Sequence, residues 1–171
     1  MNNVPSAEIT IRTATEADLI EILAIYNDAI LNTTSVYNYL PHTLEMRQEW
    51  FATKQEQGYP VFVALENDAI VGFSTIGPFR PWIGYRYTVE NSVYVAAKSR
   101  GKGIAKLLMQ PVIDSAKAAR MHTIVAGIDA TNEASIHLHK QFGFEQVACF
   151  KEVGYKFNRW LDLVFMQLIL K

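Results

Sequence analysis

The most chemically loaded stretch of the chain is Val93-Tyr94-Val95-Ala96-Ala97-Lys98-Ser99-Arg100-Gly101-Lys102-Gly103-Ile104-Ala105. Its apolar start predicts a strand, its middle a basic glycine-rich turn, and its end a helix. Glycine accepts left-handed dihedrals and lets a ligand approach the backbone. The first N–H groups of a helix have no acceptor within it, and the helix dipole adds positive potential. Together these features make an anion site suited to phosphate, and Arg100 and Lys102 add charge to it. The turn is not a Walker A loop, because its Gly-Lys is not followed by Ser or Thr in the required place. It is not Gly-x-Gly-x-x-Gly either, since Lys106 fills the final slot. On these residues alone, a phosphate-bearing ligand and a purely structural turn with solvated Lys and Arg stand level.

Other reactive types are sparse. Phe79 to Thr88 contains Arg80, Trp82, Tyr85, Arg86 and Tyr87, with neither a clean period nor solvent-like polarity. It reads as a surface loop with buried aromatics or as a substrate-facing loop. Cys149 has no readable His or Asp pairing and fits a small core residue of a strand. Four His and one Cys show no ligand-spaced cluster, so no metal site is expected.

These residues need a scaffold. Ile9 to Arg12 alternates as a first strand, and Thr15 with Asp18 offers a helix start. Leu19, Ile22, Leu23, Tyr26, Ala29 and Ile30 follow at helical spacing, ending before Asn32. A loop with exposed Tyr37 and Tyr39 leads to a second helix from Thr43 to about Gln57. Met46, Trp50 and Phe51 mark its buried side. Val61–Leu65 and Ala69–Ile76 form a hairpin around Glu66-Asn67-Asp68. Val89–Val95 is a strand, and Gly103–Ala119 a helix bent at Pro111. His122–Ile128 is a strand and Thr131–Phe142 a short helix. Phe144–Phe150 and Trp160–Leu170 are final strands joined by a polar hairpin containing Gly154. The order β, α, α, β, β, β, α, β, α, β, β predicts a mixed sheet with helices on both faces. A single domain over residues 9–170 is expected, after a flexible start at residues 1–8.

Composition narrows the partners. With 16 basic and 17 acidic side chains the net charge is −1, so no broad positive field exists to hold nucleic acid. No apolar run is long enough to span a membrane, and the start lacks the flank and core of a signal peptide. One cysteine allows no internal disulfide. A cytoplasmic protein is expected.

The run Arg100-Gly101-Lys102-Gly103-Ile104-Ala105 resembles the Arg/Gln-x-x-Gly-x-Gly/Ala signature of the GNAT superfamily of N-acetyltransferases. Asn132-Glu133-Ala134-Ser135 leading to Gly143-Phe144 resembles a second element of that superfamily. Thr88-Val89-Glu90-Asn91-Ser92-Val93-Tyr94-Val95, Gly77-Pro78-Phe79-Arg80 and Lys156-Phe157-Asn158-Arg159-Trp160-Leu161-Asp162 are similar to the phosphinothricin, methionine sulfone and methionine sulfoximine acetyltransferases. The likeness spans roughly residues 9 to 170.

This resemblance implies an α/β fold, a central, mostly antiparallel mixed sheet flanked by helices, with acetyl-CoA as co-substrate and no metal. It implies that Arg100, Gly101, Lys102, Gly103, Ile104, Ala105 and Lys106 hold the pyrophosphate. Val93, Tyr94 and Val95 would pair with the pantetheine arm, and Asn132 with Ser135 would contact the same arm. Glu90 falls at the catalytic base, or else only binds the ammonium. His139 falls at a position where the subfamily has a His, for proton transfer or cofactor contact, or as an ordinary helix residue. Tyr94 stands between a thiolate-protonating acid and strand packing. Arg80 first, then Arg86, would grip a substrate carboxylate, whose shape a guanidinium fork matches. Tyr37, Gly84 and Tyr85 would shape the side-chain pocket, and a loop carrying Lys156 would reach it from a partner subunit of a homodimer. The implied reaction is acetylation of the α-amine of a small amino acid or analogue by direct attack. Its rivals are an acetyltransferase for peptides or other amines, and a non-catalytic CoA-binding module.

Overall fold

A computed structural model describes residues 8–171. The expected flexible start thus lies, save Glu8, outside the described residues. The elements are β1 (Ile9–Thr13), α1 (Leu19–Asn32), α2 (Leu44–Glu56), β2 (Val61–Glu66), β3 (Ala69–Pro78) and β4 (Thr88–Val95). They continue with α3 (Ile104–Ala118), β5 (Thr123–Asp129), α4 (Glu133–Gln141), β6 (Glu145–Lys156) and β7 (Arg159–Ile169). The order is the one expected from the sequence. A seven-stranded sheet runs β1-β2-β3-β4-β5-β7-β6. Every neighbouring pair is antiparallel except β4 with β5.

Local chemistry explains most boundaries. Asp18 accepts from the Thr15 backbone at 2.7 Å and pairs with the Arg12 guanidinium at 2.7 and 2.8 Å, which fixes the entry to α1. Thr43 caps α2 by accepting from the Met46 N–H at 3.3 Å. Asn67 and Asp68 take φ of 51° and 64°, the left-handed pair that a two-residue hairpin requires. α1 and α2 cover one face of the sheet through Ile22, Ile25 and Phe51 against Val61, Val63 and Phe73. α3 covers the other through Met109, Val112 and Ile113, packed with Val89, Ile124 and Met166. α3 runs through Pro111 without a break.

Three expectations need correction. Met46 is exposed, and Arg47 takes the inward face of α2 beside Phe51. Its guanidinium is stacked over the rings of Tyr26 and Trp50, at 4.1 and 4.5 Å, which lets an apolar layer accept the charge. The last hairpin turns at Phe157 and Asn158, with φ of 51° and 57°, not at Gly154. Gly154 lies inside β6, where a Cβ would come within 2.5 Å of the Tyr37 ring. Cys149 is exposed, because β6 is the edge strand of the sheet.

One irregularity decides where ligands can go. β4 and β5 pair only at Thr88 with Thr123, Val89 with Ile124 and Glu90 with Val125. β4 nevertheless continues to Val95 and β5 to Asp129. Beyond Glu90 the sheet is split, and one edge of β4 has no strand beside it.

Candidate active site

The split holds a cavity of about 920 Å³. Val93, Tyr94 and Val95 line one wall, Asn132, Ser135 and Leu138 the other, and the turn Ser99 to Lys106 closes one end. Gly101 and Gly103 both have φ of +78°, and nothing lies within 4 Å of a Cβ built on either. Their glycine character therefore answers the dihedral, not a lack of space. Gly103 leads directly into α3, so unpaired N–H groups and the positive helix end face the turn. At α4, Asn132 Oδ1 accepts from the Ser135 N–H at 3.1 Å.

Of the residues expected to hold a cofactor, Val93, Tyr94, Val95, Arg100, Gly101, Gly103, Ile104, Ala105, Lys106, Asn132 and Ser135 line this cavity. Lys102 does not. Its ammonium is paired with the Glu66 carboxylate at 2.7 and 2.9 Å, so its charge is spent on β2. Arg100 donates through Nε to the Val95 carbonyl at 3.3 Å and stands 3.7 Å from Asp28.

A smaller cavity of about 170 Å³ adjoins the first where the strands part. Glu90, Ser92, Gly127, Asp129 and His139 line it, and it shares Ser35, Val93, Tyr94, Asn132 and Ser135 with the larger one. Burial pushes the Glu90 carboxyl above its ordinary pKa; the charge of Arg80 and the Gly127 N–H oppose that rise. A Cβ at Gly127 would sit 3.3 Å from Glu90 Oε1, so a bare backbone keeps room for the carboxylate. His139 is buried, and burial lowers its pKa. Its Nδ1 lies 2.7 Å from the Ser135 carbonyl and its Nε2 3.1 Å from Asn91 Nδ2. Tyr94 stacks on Phe73 at 5.1 Å and meets Tyr26 edge-on at 5.4 Å; burial raises its hydroxyl pKa.

The residues expected to bind the amine are less gathered. Arg80 is exposed, with its guanidinium 4.2 Å over the Phe79 ring and Nη1 donating to the Phe79 carbonyl at 2.9 Å. Arg86 lies 4.5 Å over the Tyr87 ring, and Gly84 and Tyr85 are exposed in the turn Ile83–Tyr85. None of these four lines either cavity. Tyr37 is half-buried, not exposed, and its hydroxyl donates to Asp129 Oδ2 at 3.1 Å. Gly154 makes room for that ring.

Lys156 is corrected outright. It is the last residue of β6, and it is buried. Its ammonium donates to the carbonyls of Ile30, Thr33 and Val36, the latter two at 2.7 Å. All three N–H donors close the end of α1, so none is left to reach a partner's pocket. Sequence reasoning also missed Thr33, Thr34, Phe157 and Arg159, which line the large cavity. Phe157 sits in a left-handed turn without glycine, so no composition signal marks it.

Known proteins match nearly the whole chain. A family model described as "Acetyltransferase (GNAT) domain" matches residues 11–165. An L-methionine sulfoximine/L-methionine sulfone acetyltransferase of Pseudomonas aeruginosa is 49% identical over 160 residues, covering 93% of each chain. A phosphinothricin N-acetyltransferase of Streptomyces coelicolor is 36% identical, covering 95% of this chain and 96% of its own. The Salmonella typhimurium structure yncA, determined with its cofactor acetyl-CoA, superposes with a TM-score of 0.94 at 44% identity. That match covers 95% of this chain and 94% of the other.

Proposed function

The chain belongs to the GNAT acetyltransferase family, and on that premise we propose that it acetylates the α-amine of a small amino acid or analogue. Acetyl-CoA is the donor. Methionine sulfone, methionine sulfoximine and phosphinothricin define the substrate shape: an amino acid head with a tetrahedral polar side-chain end. One observation carries this reading. β4 leaves β5 after Glu90, so a glycine turn, a free strand edge and a half-buried carboxylate line two adjoining cavities.

The turn from Arg100 to Lys106 takes the pyrophosphate on backbone N–H groups at the start of α3. The free edge of β4 at Val93–Val95 pairs with the pantetheine amides, and Asn132 and Ser135 close the opposite wall. Glu90 removes a proton from the substrate ammonium, directly or through water. Its raised pKa makes it a better proton acceptor than a solvated glutamate. The freed amine attacks the thioester carbonyl. A backbone N–H near Val95 stabilises the oxyanion, and collapse expels the CoA thiolate, which gains a proton. Arg80, whose charge reaches Glu90, takes the substrate carboxylate.

A homodimer goes with this reading. Trp82, Ile83, Phe150, Val153 and Trp160 are each more than half exposed, an apolar surface that a second copy would cover. A cytoplasmic setting also suits acetyl-CoA chemistry. Among the described residues no helix is long and apolar enough to cross a membrane.

The test is CoA-thiol release from acetyl-CoA with methionine sulfone, methionine sulfoximine, phosphinothricin, a peptide and spermidine. Turnover concentrated on the sulfone-like amino acids is expected. Preference for the peptide or for spermidine would overturn the substrate class.

A further inference from the structure

We propose that Asn91 and His139 form a neutral strut across the split sheet, and that His139 is a positioning residue, not the proton acceptor. The kinetic part of this inference rests on the acetyl transfer proposed above; its spectroscopic part does not.

Asn91 is the first residue of β4 beyond the last β4–β5 pair. The residue is 7% exposed. Where backbone pairing stops, its Nδ2 reaches His139 Nε2 on α4 at 3.1 Å, with Met109 Sδ of α3 at 3.5 Å. The protonation state follows from the neighbours. His139 Nδ1 stands 2.7 Å from the Ser135 carbonyl, and two lone pairs cannot meet there. The proton is therefore on Nδ1. Burial beside the Phe144 ring, edge-on at 5.0 Å, opposes a second proton. Nε2 then presents a lone pair, and only the amide nitrogen of Asn91 can face it.

That orientation leaves Asn91 Oδ1 buried with no hydrogen-bond partner. The amide serves through its Nδ2, which meets both His139 Nε2 and Met109 Sδ. What the N–H does is visible in the topology. β4 supplies one wall of the large cavity through Val93–Val95, and α4 supplies the other through Asn132 and Ser135. The strut ties the walls together at the apex of the split. It also occupies the Nε2 lone pair that a base would need. Glu90, Tyr94 and Asp129 are the other titratable groups lining the small cavity, and Glu90 keeps the proton-accepting role.

Four variants test this on whichever amine the wild-type enzyme acetylates fastest. His139→Gln keeps an acceptor near the Nε2 position without basicity, and should hold kcat within about threefold of wild type. His139→Leu and Asn91→Leu should each lose roughly 10- to 100-fold in kcat and also weaken acetyl-CoA binding, because the misplaced walls are those of the large cavity. The double variant should lose no more than the worse single, because one interaction is removed twice. It should also melt at or above either single variant, since neither group is left unpaired. A fall of His139→Gln to the level of His139→Leu, or losses that multiply in the double variant, would overturn the strut. ¹⁵N NMR of the wild-type imidazole at neutral pH gives an answer independent of activity. A neutral ring protonated on Nδ1 is expected; an Nε2-protonated or doubly protonated ring refutes the proposal.

Discussion

The two cavities of the split sheet are built in opposite ways. The end proposed for acetyl-CoA takes its largest single share of lining from one continuous run, from the β4 edge at Val93 through the turn to Lys106. The end proposed for the amine is assembled from Ser35, Glu90, Gly127, Asp129 and His139, which come from four separate parts of the chain. The first depends on local dihedrals, with Gly101 and Gly103 at φ of +78°. The second depends on burial and on side chains held by distant partners. Backbone geometry can therefore define a phosphate site, whereas a proton acceptor of raised pKa needs the assembled fold.

The largest effect should separate these ends cleanly. Glu90→Gln should cut kcat roughly 10²- to 10⁴-fold, the usual range for general-base removal, and leave the acetyl-CoA Kd unchanged. Stopped turnover together with lost cofactor binding would show the two ends to be one. Gly103→Val should act in reverse. A β-branched residue resists a left-handed φ, so acetyl-CoA affinity should drop roughly tenfold or more by calorimetry, from ~1–2 kcal/mol of strain. An unchanged Kd would break the phosphate-turn assignment.

Smaller changes sharpen the acceptor end. Arg80→Ala should raise the KM of the amino acid about tenfold with acetyl-CoA affinity intact, a typical loss for one exposed charged contact. Arg80 also opposes the rise of the Glu90 pKa. The acid limb of the kcat/KM profile, already expected above the ~4.3 of an ordinary glutamate, should therefore move higher still. A limb that stays still would detach Arg80 from Glu90. The smallest effect concerns stability. Folding raises the Glu90 pKa above its unfolded value, so the protonated form favours the fold. That contribution is full at low pH and is lost as pH rises through the folded pKa. Glu90→Gln should then match or exceed the wild-type Tm at neutral pH while matching it in acid.

Legibility followed the same division. The element order and the glycine turn could be read because periodicity, caps and a contiguous motif are local properties. Glu90 was singled out as a candidate base only through resemblance, since nothing in its own neighbours announces a cleft. Lys102 looked like a phosphate ligand because the turn does not show that Glu66 lies across from it. Tyr37 and Lys156 were misjudged for one reason: a polar residue in a loop or near a hairpin reads as solvated. The carboxylate of Asp129 and the carbonyls of Ile30, Thr33 and Val36 receive them from far along the chain. Arg47 was passed over because a charged residue on a helix is expected to face water, and an aromatic sandwich cannot be seen in one segment.

The clasp of Lys156 bears on how the molecule forms. Its ammonium joins carbonyls 126, 123 and 120 residues earlier in the chain. The segment it secures runs through Thr33 and Thr34, which face the large cavity. During synthesis that wall of the cavity stays without its fastener until Lys156 has been made. The closure joins distant residues, so ordering that segment carries the entropy of closing a long loop. The residues of the turn proposed for phosphate are thus synthesised well before the residue that fastens this wall of the cleft.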